Sequence, residues 1–212
     1  SQKRYASILR SLQIFLGNAW NHQGHYWIND YSELLHAVPE LLVVARLVLL
    51  VSVIVHIAVS MRLAAQNRAA RTTRYKVEAE IAEQGILERW GLTTMVLTGP
   101  LLGLYIVFHL AHLPIGSPLP IDHYEFQHLH PYENMVFTFR VWWISAIYMG
   151  ASVMLGFHIF HGGHAFLQTL GLRHPKWDAR SRPAAMATAM AVTLANLSIP
   201  IAIVSRLIGN DL

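Results

Sequence analysis

The sequence predicts an all-α integral membrane protein, and three observations carry the prediction. First, only 13% of its 212 residues are charged and 54% are hydrophobic, against about 25% charged in a soluble globular chain. Second, the apolar residues gather into long runs such as LLVVARLVLLVSVIVHIAVSM. Third, no run alternates apolar and polar residues as a barrel strand does, so the helix is the form that satisfies the backbone within lipid.

A spanning helix needs about 20 mostly apolar residues. Four stretches qualify, at about 39–65, 90–113, 136–170 and 184–207, within one membrane domain covering 1–212. The third is long enough to project beyond the bilayer. Pro100 and Pro200 fall inside spans and should kink them, which neighbouring helices can accommodate. Trp90, Trp142, Trp143 and Trp177 lie near span ends, as an aromatic belt requires.

Charge orients the spans. Arg62, Arg68, Arg71, Arg74, Lys76 and Arg89 follow the first span, and Arg173, Lys176, Arg180 and Arg182 follow the third. The connection PIGSPLPIDHYEFQHLHPYEN has neither Lys nor Arg. The positive-inside rule therefore puts segments 68–76 and 173–182 in the cytoplasm and the neutral connection outside, in a multi-pass membrane protein. Residues before Pro39 are then outside as well, which suits 12–37 but not Lys3, Arg4 and Arg10. A further span between about Ser11 and Leu12, missing from the sequence, resolves the conflict and makes five helices in all.

Composition also excludes. Without cysteine there is no disulfide, thiolate-ligated cluster, cysteine nucleophile or thioether-linked haem. The first ten residues, SQKRYASILR, lack the apolar core and cleavage site of a signal peptide. The net charge of +4 comes from basic residues flanking spans, not from a basic domain, so nucleic acid is not an expected partner. No Gly-rich nucleotide loop, G-x-S-x-G or H-E-x-x-H motif is present. The run 68–76 suits anionic lipid or a soluble partner on the cytoplasmic face.

The chemistry lies in histidines inside apolar runs: His56; His109 and His112; and His158, His161 and His164. An ionisable side chain within a span marks a functional site by default, and imidazole is a common ligand of haem iron. His56 precedes Arg62 by six residues, about 9 Å along a helix, and His158 precedes Arg173 by 15, on a span that overruns the bilayer. Both fit the cytoplasmic half, as an inner pair. His109 and His112 lie just before Pro114, at the outer end, without an obvious partner. His109/His112 and His158/His161 are i,i+3 neighbours and share a helix face. Axial ligands approach a haem from opposite sides, so one of each pair must act otherwise, for example on a propionate or a quinone oxygen.

Arg46 and Arg140 lie in spans near the outer end. Each either snorkels or pairs with a haem propionate. Gly150, Gly156, Gly162 and Gly163 either admit a flat macrocycle to the third span or allow close helix packing. His22, His25, His36, His123, His128 and His130 read as solvated outer residues, since no ligand set with zinc spacing accompanies them. The methionines are mostly span filler. The histidines also suit a haem-free transporter with a proton relay.

The run LLVVARLVLLVSVIVHIAVSMRLAAQNRAAR, then VFHLAHL, then LGFHIFHGGHAFLQTLGL, resembles the single-chain, di-haem cytochrome b anchor of succinate dehydrogenase and fumarate reductase, of the b558-like type. The resemblance covers most of the chain from Leu12 to about His174. It implies five spanning helices, two b-type haems, and electron transfer between a cytoplasmic-side iron–sulfur subunit and quinone, usually menaquinone. It also implies a flavoprotein subunit as partner. Carried over by residue, His56 and His158 match the axial pair of the inner, proximal haem, and His109 matches one ligand of the outer, distal haem. The second distal ligand belongs to the first helix, which is missing here; LQIFLGN resembles the family's segment just after that helix. Some relatives carry a glutamate two residues before the histidine matching His158, where this chain has Gly156. A di-haem anchor of a hydrogenase or formate dehydrogenase is the nearest alternative.

Overall fold

The computed structural model describes residues 24–70, 86–113, 126–169 and 175–209. Among the described residues all regular structure is helical: α1 (Gly24–His36), α2 (Pro39–Ala70), α3 (Ile86–His112), α4 (Pro131–Phe139), α5 (Trp142–Thr169) and α6 (Pro175–Val204). Three stretches are long and apolar enough to cross a membrane, Pro39–Gln66 in α2, Trp142–Gly163 in α5 and Arg180–Val204 in α6. The expected second span falls within α3, whose described apolar part, Leu97–His112, is shorter than a crossing. The described residues thus provide three full spans where the sequence predicts four. The helix expected between Ser11 and Leu12 lies outside the described residues.

The chain divides into two compact units, one of Ser1–Thr72 with Asp122–Phe137 and the other of Thr73–Ile121 with Thr138–Leu212. In the first, α1 stops at His36 in a turn where the Ala37 amide donates to the Glu33 carbonyl at 2.9 Å. Pro39 then opens α2, with its φ preset and no amide to satisfy. Apolar side chains surround α2 and stay exposed on every side within the unit, the pattern of a helix whose solvent is lipid. Asn29 of α1 reaches the start of α4. Its Oδ1 accepts from the Tyr132 amide at 3.0 Å and its Nδ2 donates to Glu133 at 2.8 Å. Buried Asn134 clamps Gln127, accepting from its amide at 2.9 Å and donating to its carbonyl at 2.7 Å.

In the second unit α5 packs against both α3 and α6. The stretch 136–170, expected as one span, is broken between α4 and α5 at Arg140 and Val141. Hydrogen bonding explains the break. The Val141 amide donates back to Thr138 in a tight turn at 3.1 Å, and the buried Ser145 hydroxyl takes the Phe139 carbonyl at 2.6 Å. Helix α6 closes in a Schellman motif, with Arg206 left-handed (φ 57°), its amide on the Ile203 carbonyl at 3.0 Å and the Leu207 amide on the Ala202 carbonyl at 2.8 Å. Trp142 and Trp143 are exposed at the start of the α5 span, where an aromatic belt would sit.

Candidate functional site

The outer-end histidines of α3 are built from a repeated local pattern. In YIVFHLAH, Tyr105 precedes His109 by four residues and Phe108 precedes His112 by four, so each aromatic lies on the same helix face as its histidine. The rings stack: Tyr105 and His109 at 5.9 Å and 25°, Phe108 and His112 at 5.3 Å and 27°. Each imidazole plane is thereby held by its own helix.

Tyr148 of α5 completes the cluster. Its hydroxyl lies 3.0 Å from Nδ1 of His112 and 3.4 Å from Nδ1 of His109. Its ring is held edge-on by Phe139 at 4.9 Å and by Tyr105 at 5.4 Å. Tyr148, His112 and Phe139 are buried and His109 is half-buried. Both Nδ1 atoms are therefore turned to Tyr148, and Nε2 is the nitrogen of each ring that Tyr148 does not engage.

The opposite end of α5 carries His158 and His161. At 3.6 residues per turn, these two lie on the side of α5 away from Gly156 and Gly163. Those glycines face α6. A Cβ at Gly156 would overlap the Thr193 hydroxyl, and one at Gly163 would come within 3.1 Å of the Ala185 Cβ. Gly150 and Gly162, nearer the histidine side, have nothing within 4 Å of a Cβ position. The four glycines thus divide: Gly156 and Gly163 serve helix packing, while Gly162, one turn after His158, leaves the surface of α5 open. Nδ1 of His158 and Nε2 of His161 are shielded from solvent, and the His161 ring meets Phe160 edge-on at 4.9 Å. The half-buried His158 and His161 imidazoles thus lie on a side of α5 where Gly162 leaves open space. The side chain of His164 lies outside the described residues.

His56 and Arg46 are exposed on α2, among apolar side chains. Arg140 donates from Nη2 to the Gly209 carbonyl at 2.6 Å, so its guanidinium holds the chain beyond α6. In the first unit, His36 donates from Nδ1 to the Ser32 carbonyl at 2.7 Å and meets His128 edge-on at 5.7 Å, while His130 lies 3.6 Å from Glu133.

Tyr148 is the residue sequence reasoning missed. Its signal was a phenol hydroxyl inside an apolar run that also carries histidines. Comparisons with family models, with curated proteins and with solved structures give no match to this chain.

Proposed function

We propose that this chain is the cytochrome b membrane anchor of a succinate:quinone oxidoreductase, seated in a bacterial cytoplasmic membrane. The observation that carries the reading is that His56 and His158 each lie inside a separate helix long and apolar enough to cross a membrane. A histidine in that position is costly unless it serves a function. The resemblance of LGFHIFHGGHAFLQTLGL to the family's haem-binding span points the same way.

In this reading His56 and His158 hold the proximal haem and His109 supplies one ligand of the distal haem, whose second ligand comes from the missing first helix. Bound there, b-type haem supplies one-electron transfer between the iron–sulfur subunit and menaquinone. The chain's own residues fix ligand orientation, burial and hydrogen bonding, which tune potentials. Tyr105 and Phe108 fix the ring planes of His109 and His112. His112 and His161 act beside the ligands rather than as ligands. Arg46 is the proposed propionate partner on α2, and Arg140, which gives one N–H to the Gly209 carbonyl, the one beside α5. The α3 stretch provides the fourth crossing. The flavoprotein and iron–sulfur subunits dock on the cytoplasmic face carrying 68–76 and 173–182, and the anchor alone does not oxidise succinate.

The test is a reduced-minus-oxidised visible spectrum of the purified full-length chain supplied with haem, followed by co-purification and assay of succinate oxidation. A b-type α-band with succinate-oxidising partners is expected. Absence of the band rejects haem binding and favours a proton-relay transporter; a band with other respiratory partners rejects the succinate assignment.

A further inference from the structure

The Tyr148 hydroxyl has one proton to give and two lone pairs. A neutral imidazole carries one N–H and one lone pair, so the partner of Nδ1 determines what Nε2 can do. Among the described residues Tyr148 faces two such Nδ1 atoms, at 3.0 Å and 3.4 Å. It can donate to only one of them. For both contacts to be hydrogen bonds, at least one imidazole must donate from Nδ1, and that ring then has its lone pair on Nε2.

We propose that Tyr148 is a positioning residue that sorts this pair of histidines into different tautomers, and so selects the metal ligand between them. The hydroxyl donates to Nδ1 of His112, the shorter contact and the more buried ring. His112 is then protonated on Nε2 and has no lone pair left to bind a metal. The Tyr148 oxygen accepts from Nδ1–H of His109, leaving the Nε2 lone pair of His109 directed away from Tyr148. A hydrogen bond at Nδ1 also raises the basicity of the ligating nitrogen, as outer partners of metal-bound histidines generally do.

Stacking supports the sorting. Tyr105 and Phe108 hold the two rings at fixed tilts to their own helix, so both Nδ1 atoms stay turned to Tyr148. The hydroxyl is itself anchored, because Phe139 and Tyr105 pin the Tyr148 ring edge-on. Of these two i,i+3 neighbours, His109 is then the one with a lone pair to offer a metal. This proposal of tautomers stands on the geometry of Tyr148. It rests on the haem reading only for the identity of the metal group; the tautomers are a property of the chain.

The experiment is nitrogen NMR of the full chain, labelled with 15N in its histidine rings and reconstituted without haem in lipid nanodiscs, at a pH where imidazoles are neutral. Signals are assigned with His109→Gln and His112→Gln. His109 is expected to carry its proton on Nδ1 and His112 on Nε2. In Tyr148→Phe, which keeps the ring and removes the hydroxyl, His109 is expected to move to the Nε2–H form that prevails in water. A His109 ring protonated on Nε2 in the unsubstituted chain overturns the proposal, even where Tyr148→Phe does not fold. So does a His109 tautomer unchanged in a folded Tyr148→Phe. Haem titration of the same samples separates the two readings. Failure to bind haem removes the functional proposal and leaves the tautomer result standing. Loss of the distal-haem signal in His112→Gln but not in His109→Gln overturns the ligand selection alone.

Discussion

Gly156 of α5 lies so close to Thr193 of α6 that a Cβ on the glycine would overlap the threonine hydroxyl. Helix α6 occupies the space beside this glycine. Glycine lets the two helices approach, and nothing larger fits unless the Thr193 side chain or the helices shift. Gly156→Ala should therefore destabilise the α5–α6 pair by ~1–3 kcal/mol, the usual cost of overpacking. Adding Thr193→Ala should recover most of the loss. Thermal unfolding of the single and double variants in one detergent checks this. Gly150→Ala is the control: with open space at its Cβ, it should stabilise the helix by ~0.5–1 kcal/mol.

His56→Ala and His158→Ala should each remove the same haem signal, since both residues are proposed as ligands of the proximal haem. Reduced-minus-oxidised spectra and haem-to-protein ratios of the two variants provide the measurement. Retention of the full signal in both refutes the pairing.

Arg140→Gln distinguishes a propionate partner from a structural tie. Its guanidinium donates to the Gly209 carbonyl at 2.6 Å, and a hydrogen bond from a charged donor contributes roughly 1.5–3 kcal/mol. The expected outcome is faster hydrogen exchange across 205–209 with the haem spectrum unchanged. A shift in haem potential in the same variant would support the propionate role as well.

Asn29→Ala removes the side chain that accepts the Tyr132 amide and donates to Glu133. Loss of a cap at a helix start costs ~0.5–2 kcal/mol. Exchange of the first-turn amides of α4 should rise, and Asn29→Asp, which keeps the acceptor at the Tyr132 amide but sets a second carboxylate against Glu133, should lose protection as well.

The spans were legible because hydropathy is local. Leu41 to Ala58, for example, form an uninterrupted apolar run apart from Arg46, Ser52 and His56, and no distant residue is needed to place that helix in lipid. The break at Arg140 and Val141 was not legible. It depends on a serine hydroxyl capturing a carbonyl six residues back, which hydropathy does not register, and TFRVWW reads as an apolar helix with one arginine. The roles of the glycines were equally hidden. Gly150, Gly156, Gly162 and Gly163 are identical in composition and differ only in which side of α5 meets α6.

By itself the sequence determined the helical class, the positions of the long apolar helices, and the placement of histidines inside them, because each follows from the composition of a continuous segment. Tertiary structure decided what surrounds those histidines. His112 and Tyr148 are 36 residues apart, and His109 and Tyr148 are 39 apart. Their meeting depends on which faces of α3 and α5 pack together, and a phenol hydroxyl then stands between two imidazoles. That contact sets the protons on both rings, and it arises only when the two helices are side by side.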